Sequence, residues 1–305
     1  MADTRSITKI DAHHHLWDID SGNYPWLTTE EPVKRIYGDT AQMRFNYRLK
    51  EYLNDLSDQN IVKSVHVQTG WRREDPVGET QHLQQIADSN AGGFPHAIIA
   101  AASLHQDDIQ QVLEAHCESA NMRGVRLMLN WHENPVYRWA ARPDYMSDGK
   151  FIEGFKLLSR YGLSFDCQLY PAQFHQAAAL SDTDPETPFV ILHCGMPVDR
   201  DEAGLKLWRN GLKQLAERPQ ASIKFCGLSM LIHDWTAAIM RDYLHQIVEI
   251  FGTGRVMIAS NFPVDRIKGS LNDYFDAYGA AMEELSADEQ RMLFHDNAAR
   301  IYRLD

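Results

Sequence analysis

The chain has 305 residues, of which 44% are hydrophobic and 24% charged, and carries a formal net charge of −12. It is long enough to bury a large core, and its acidic balance argues against a nucleic-acid surface or an anionic membrane as partner. No apolar run reaches the length of a membrane span, and residues 1–12 lack the apolar centre of a signal peptide. Cys117, Cys167, Cys194 and Cys226 form no Cys-x-x-Cys pair and read as reduced thiols, three of them in or beside buried strands, so a cytoplasmic chain is expected.

The first β-rich run spans 7–12 and leads into residues 10–17, IDAHHHLW. On a strand, side chains alternate between faces. Asp11, His13 and His15 are therefore expected on one face, and Ala12, His14 and Leu16 on the other. Two imidazoles at i and i+2 near a strand end converge on one metal ion, water or carbonyl, with one ring nitrogen free to bind while a neighbour steers the other. A tag fragment or polar turn is the plainer reading, and the strand-like flanks weigh against it.

Seven more apolar runs follow, at 62–68, 97–104, 124–129, 164–169, 189–193, 222–226 and 255–260. Helix-like segments alternate with them at 47–59, 79–90, 107–119, 149–160, 172–181, 204–217, 236–251 and 272–284, with an extra helix at 287–302. Eight strand–helix units without a linker predict an α/β fold, a single-domain (β/α)8 TIM barrel over residues 1–305. A doubly wound open sheet is the alternative, but no glycine-rich nucleotide motif follows a strand. The connections 16–45 after strand 1 and 130–148 after strand 4 are too long for turns and belong on the functional face. They carry Trp17, Tyr24, Trp26, Trp131, Tyr137 and Trp139, with Trp71 after strand 2. These rings offer stacking walls for a flat or sugar-like ligand, although each alone reads more plainly as loop packing.

In a barrel, reactive side chains come from the strand C-terminal ends. Those ends offer His13 and His15, then Gln68 with His66 one layer deeper on the same face, then Arg126 and Asn130. Strand 5 alternates Asp166, Gln168 and Tyr170 with Phe165, Cys167 and Leu169, and its polar face is expected inside, since helices need the apolar one. Strand 6 ends at His193, strand 7 gives Lys224 and Cys226, and strand 8 gives Asn261. Arg126 and Lys224 either form interior salt bridges, to Asp166 or Asp11, or recognise a carboxylate or polarised carbonyl.

The ordered set IDAHHHLWD with YPWL, VQTGW with GET, RGVRLM, FVILHCGMP, IKFCGL, RVMIASNFPVD and DNAARIY resembles the amidohydrolase superfamily. The subgroup resembled is the amidohydrolase-2 type, with sugar-acid lactonases and the 2-pyrone-4,6-dicarboxylate lactonase. The likeness covers nearly the whole chain. It implies a (β/α)8 barrel and a hydrolase, with His13 and His15 as the strand-1 pair and His193 as the strand-6 histidine. Two departures stand out: Gln168 and Tyr170 occupy the place of the strand-5 histidine, and Asn261 that of the strand-8 aspartate, usually the general base. An amide takes no proton at neutral pH, so the base is another group, with Asp265, Asp11 and the histidines as candidates, or none is needed.

The expected activity is hydrolysis of a small lactone, of a sugar acid or polar carboxylic acid. The catalytic candidates are His13, His15, His193 and Asn261, and the substrate-binding candidates are Gln68, Arg126, Gln168, Tyr170, Lys224 and Trp17. A decarboxylase or hydratase of an aromatic acid is the alternative, and a non-catalytic small-molecule binder the third reading. The cofactor expectation is one divalent ion, zinc, bound weakly by His13, His15 and His193, or none. The expected partner is a small-molecule substrate, with no nucleic acid and no membrane, and a homo-oligomer is compatible with the sequence.

Overall fold

The computed structural model describes residues 4–28 and 34–304. Residues 29–33 of the first long connection lie outside the described residues. Among the described residues, eight strands pair in chain order and in parallel: β1 Lys9–His14, β2 Ile61–Val67, β3 Ala97–Ala100, β4 Met122–Met128, β5 Ser164–Gln168, β6 Phe189–Ile191, β7 Ala221–Phe225 and β8 Val256–Ile258. The ring closes between its first and last members through a parallel bridge of His14 with Phe262. There the Asn261 N–H donates to the His13 carbonyl at 2.8 Å, and the His15 N–H to the Phe262 carbonyl at 2.7 Å.

One helix follows each strand: α1 Leu49–Asp55, α2 Gly78–Ser89, α3 Ile109–Cys117, α4 Gly149–Arg160, α5 Phe174–Asp182, α6 Glu202–Ala216, α7 Ala237–Phe251 and α8 Leu271–Ala281. Their apolar residues recur every three or four positions and face the sheet: Phe151, Phe155 and Leu158 on α4, Trp208, Leu212 and Leu215 on α6. Asp148, Asp201, Thr236 and Ser270 accept backbone N–H groups at four helix starts. The predicted helix 287–302 is present but interrupted: Ala287–Arg291 and Asn297–Tyr302 flank a π turn at Met292–Asp296.

Two apolar clusters result. One lies between the strands' outer faces and the helices. The other fills the barrel, where Ile10, Ala12, Val65, Val67, Ile99, Val190, Leu192, Met257 and Ala259 meet Ala298, Ile301, Tyr302 and Leu304. The C-terminal segment thus forms the barrel floor, fastened by Lys63 Nζ donating to the Leu304 carbonyl at 2.6 Å.

Strand 1 runs to His14 rather than stopping at residue 12, so the first two histidines of the triplet are part of the sheet. Strand 6 ends at Ile191, not 193, because His193 and Cys194 adopt φ of 53° and 59° in a tight turn. Trp17, expected at the ligand, is 1% exposed and packs the first long loop down. Its indole N–H donates to the Phe45 carbonyl at 2.6 Å, and its ring lies 5.9 Å from both Trp26 and Phe45.

Candidate active site

The strand-1 pair reaches the barrel mouth by a device that strict alternation misses. Asp11 pairs with Ser64 and His14 with His66, so β1 holds one residue more than β2 between these points. This bulge turns Ala12 and His13 inward in succession. Asp11 therefore lies on the opposite face from His13, correcting the expected shared face. Its carboxylate accepts from the Tyr52 hydroxyl of α1 at 2.9 Å, from Ser260 Oγ at 2.6 Å and from the N–H groups of Ser260 and His13. With that many donors Asp11 braces the bulge. His14 faces outward, stacked on Tyr52 at 4.0 Å and 3.0 Å from Ser64 Oγ. His66 also faces away from the interior, since Val65 and Val67 point in, and accepts the Leu16 N–H at 2.9 Å. The shared face expected for His66 and the mouth is not found.

His13, His15 and His193 converge. The His13 and His15 Nε2 atoms are 3.3 Å apart, and the His13 and His193 ring centres 4.7 Å. All three are at most 5% exposed. Burial holds His13 and His193 well below the ordinary imidazole value and pushes His15 down to about 3, with the nearby Arg126 and Lys224 charges adding to the effect. The rings are neutral at physiological pH. The tautomer of His15 follows from its partner. A carbonyl only accepts, and Val67 O lies 2.7 Å from His15 Nδ1, so the proton sits on Nδ1 and Nε2 presents a lone pair to the mouth.

The inward polar face of β5 is as expected. Asp166 receives Lys224 Nζ at 2.7 Å, the Tyr302 hydroxyl at 2.8 Å and Ser164 Oγ at 3.1 Å, in a bridge with no exposed side-chain surface. Lys224, a substrate-binding candidate, is thereby committed to the barrel interior. Gln168 accepts Arg126 Nη2 at 2.5 Å, and Arg126 Nη1 reaches the Gln68 carbonyl at 3.5 Å. Gln68 turns its own amide oxygen to the Gly70 N–H at 2.9 Å, and the Tyr170 hydroxyl donates to the Tyr137 carbonyl at 2.8 Å.

Arg126 is different. It is 6% exposed, its buried Nε has no partner, and among the described residues no carboxylate forms an ion pair with it. Burial lowers its pKa to about 10, which leaves it charged. Asn261, 1% exposed at φ 56°, donates Nδ2 to Asp265 at 2.9 Å, and the other Asp265 oxygen accepts the Gly227 N–H at 3.1 Å. Burial pushes Asp265 up to about 7. Asp265 thus sits behind the Asn261 amide, not in its place.

Two residues near the mouth escaped the sequence reading. Tyr37, from the ribbon Lys34–Arg35 and Gly38–Asp39, is 6% exposed and close enough for the Arg126 charge to act on its phenol. The ribbon lies across the mouth: Arg35 stacks on Trp139 at 4.4 Å, and the Ile36 carbonyl accepts from His233 Nε2 at 3.1 Å. The sequence presents Cys226 as a strand end and a core thiol. Its Sγ lies 3.4 Å from His193 Nδ1. The signal was its position two residues after the inward Lys224.

A cavity of about 690 Å³ lies to one side, between the ends of β2 to β4 and their helices, lined by Trp71, Glu79, His105, Trp139, Tyr145 and Phe151 among others. None of the three converging histidines lines it. Glu79 is 4% exposed, accepts the Thr69 N–H at 2.9 Å, and is pushed up to about 8 by burial. An acid whose folded-state pKa exceeds its unfolded value weakens the fold as pH rises through that interval. Glu79→Gln is therefore expected to stabilise by on the order of a few kcal/mol at pH 8 and by little below pH ~4.5, as urea unfolding at the two pH values would show. Equal effects at both would contradict this.

The amidohydrolase family model matches residues 10–304. This chain belongs to the amidohydrolase family. It is 36% identical to the protein y4mH of Sinorhizobium fredii over 98% of this chain and 99% of that one. It is 26% identical to an L-fucono-1,5-lactonase of Burkholderia ambifaria, over 97% and 96%. In fold it is similar to an amidohydrolase from Burkholderia multivorans, with a TM-score of 0.81, 23% identity and coverage of 98% and 100%. A second crystal form of that protein, at TM-score 0.79 and 22% identity, with the same coverage, has bound zinc. The fold is the TIM barrel, and the protein is an enzyme of the hydrolase type that the family comprises.

The residues at the mouth of this amidohydrolase fit a metal ion. His13, His193 and Cys226 each place a donor atom within 4.8 Å of the others, and His13 Nδ1 is buried with no partner among the described residues. Neutral imidazoles and a thiol are ligands for a borderline-soft ion.

Proposed function

We propose that the protein hydrolyses a small lactone bearing a carboxylate or sugar-acid hydroxyls. The observation that carries this reading is Arg126: a buried guanidinium without a carboxylate partner among the described residues, whose charge acts on all three histidines. A cation kept in that state suits an anionic group that arrives with the substrate or develops on the carbonyl oxygen. The lactonases among the relatives support the substrate class.

His15 Nε2 is the acceptor for the attacking water's proton, and an anionic substrate that neutralises Arg126 would raise its pKa from the resting value of about 3 toward the range a base needs. Water oxygen bonds to the lactone carbonyl carbon, Arg126 holds the oxyanion, and the ring C–O bond then breaks as the ring oxygen takes up a proton, giving the hydroxy acid. A divalent ion, were one held by His13, His193 and Cys226, would supply Lewis-acid polarisation of the carbonyl and a more acidic water, and the zinc in a neighbour of the same fold supports zinc as that ion. Asn261, oriented by Asp265, offers its amide oxygen as acceptor to the water, and to the His15 Nε2–H once that nitrogen has taken the proton.

The test is acid release on a panel of aldonolactones and carboxylated pyrone lactones. Turnover is expected on at least one. Silence on the whole panel, with CO₂ release from an aromatic acid, would replace lactonase by decarboxylase. Asn261→Asp is expected to keep or raise turnover, because a carboxylate takes a proton where an amide does not. Its contact with Asp265 makes the two carboxyls share a proton near neutral pH, so the variant's rate should climb with pH more steeply than the parent's. A dead but folded Asn261→Asp would show that the amide itself serves the reaction.

A further inference from the structure

We propose that Cys226 is a thiolate ligand to a zinc-class metal ion, which it holds together with His13 and His193. The inference shares the metal-dependent view of the site but requires nothing of the lactone. The three donors come from the ends of β1, β6 and β7, so three separate strands fix them. Cys226 Sγ and His193 Nδ1 are 3.4 Å apart. Two ligands on a tetrahedral zinc, with bonds of ~2.3 Å to sulfur and ~2.0 Å to nitrogen, stand ~3.5 Å apart.

The backbone is shaped for this approach. Gly227, at φ 67°, follows the cysteine, and a Cβ there would lie 2.5 Å from His193 Nδ1. Only glycine lets the end of β7 come this close to the imidazole. His193 itself is held at φ 53°, an uncommon setting for a side-chain-bearing residue, and it is this turn that carries its ring toward His13. His13 contributes an unpartnered buried nitrogen.

Chemistry explains why a thiol suits the position. Gln168 and Asn261, which stand in place of the histidine and aspartate that the resemblance implies, carry no charge. A cysteine thiolate returns one negative charge to the ion and selects zinc or cobalt over magnesium or manganese. On binding, the S–H proton leaves to solvent as the metal–sulfur bond forms, so one proton is released per ion. His15 lies outside the three-donor set, which leaves its Nε2 lone pair as the proton acceptor.

The experiment is titration of the chelator-stripped, reduced protein with Co²⁺, followed by absorbance and proton release. Wild type is expected to take one equivalent, release one proton and show a near-ultraviolet sulfur-to-cobalt charge-transfer band. Cys226→Ser should lose the band and bind more weakly by more than the ~10–100-fold typical of losing an outer-shell partner. Cys194→Ser is the control: that thiol donates to the Cys226 carbonyl at 3.5 Å but is not in the donor set, and the band should persist. Stoichiometric cobalt without the band, no stoichiometric binding, or a band that survives Cys226→Ser would each overturn the proposal. If Cys226→Ser does not fold, the wild-type spectrum decides alone. A protein inert to every lactone yet showing the band would remove the proposed activity and leave this ligand in place.

Discussion

Arg126→Met is expected to lower kcat/KM on the preferred lactone by about 10²–10³-fold while leaving stability unchanged or increased. The two effects have one cause. Among the described residues, Arg126 is a buried cation whose hydrogen-bond partners are neutral oxygens, those of Gln168 and the Gln68 backbone. Its desolvation is not offset by an ion pair, so methionine, similar in length and apolar, relieves a cost to the fold. The same substitution removes the donor for the substrate's carboxylate or oxyanion. Steady-state kinetics with urea unfolding on the same preparation checks both signs. A fall in activity accompanied by an equal collapse in stability would make Arg126 structural and remove the main support for the lactone reading.

Asp166→Ala is expected to cost about 3–5 kcal/mol, the largest stability loss of any single change considered. Three donors converge on this carboxylate: Lys224, Ser164 and Tyr302. Truncation strands the Lys224 ammonium at zero exposure with no counter-charge. Replacing both partners with apolar residues of similar volume, Asp166→Leu with Lys224→Met, should recover most of the loss, since neither buried charge remains. Chemical denaturation of the single and double variants reads this directly. A near-neutral Asp166→Ala would show that water reaches the bridge and that the barrel interior is wetter than its geometry implies.

These two residues show how far the sequence could be read. The polar face of β5 was legible because Phe165, Cys167 and Leu169 need the helices, which forces Asp166 and Gln168 inward. Strand number and order were legible for the same reason: apolar periodicity reports which surface is covered. The inward turn of His13 next to Ala12 was not, because a bulge is one residue of slack between paired strands and leaves no mark on one strand's own pattern. Asp11 and His66 were misplaced by that same missing register. Lys224 carries equal chemical potential for substrate or for salt bridge, and only the third dimension, with Tyr302 arriving from the far end of the chain, chooses between them. Tyr37 had no motif to announce it, since its place depends on a two-stranded ribbon folded across from another loop.

The way the ring is closed bears on how the enzyme comes into being. His13 and His15 are locked in place by backbone bonds to residues 261 and 262, and the floor beneath is completed by residues 298–304. Contacts spanning most of a chain are the slowest to form, because the connecting loop must first surrender its freedom. A nascent chain on the ribosome therefore displays its histidines long before it owns a pocket. Strand pairs can assemble as they emerge, yet β1 keeps an unpaired edge until strand 8 is made. During that interval the exposed edge is open to misassociation, and chaperone holding would matter most then. A metal site built from β1, β6 and β7 would wait in the same way, since its donors share no common point before residue 226 has been made.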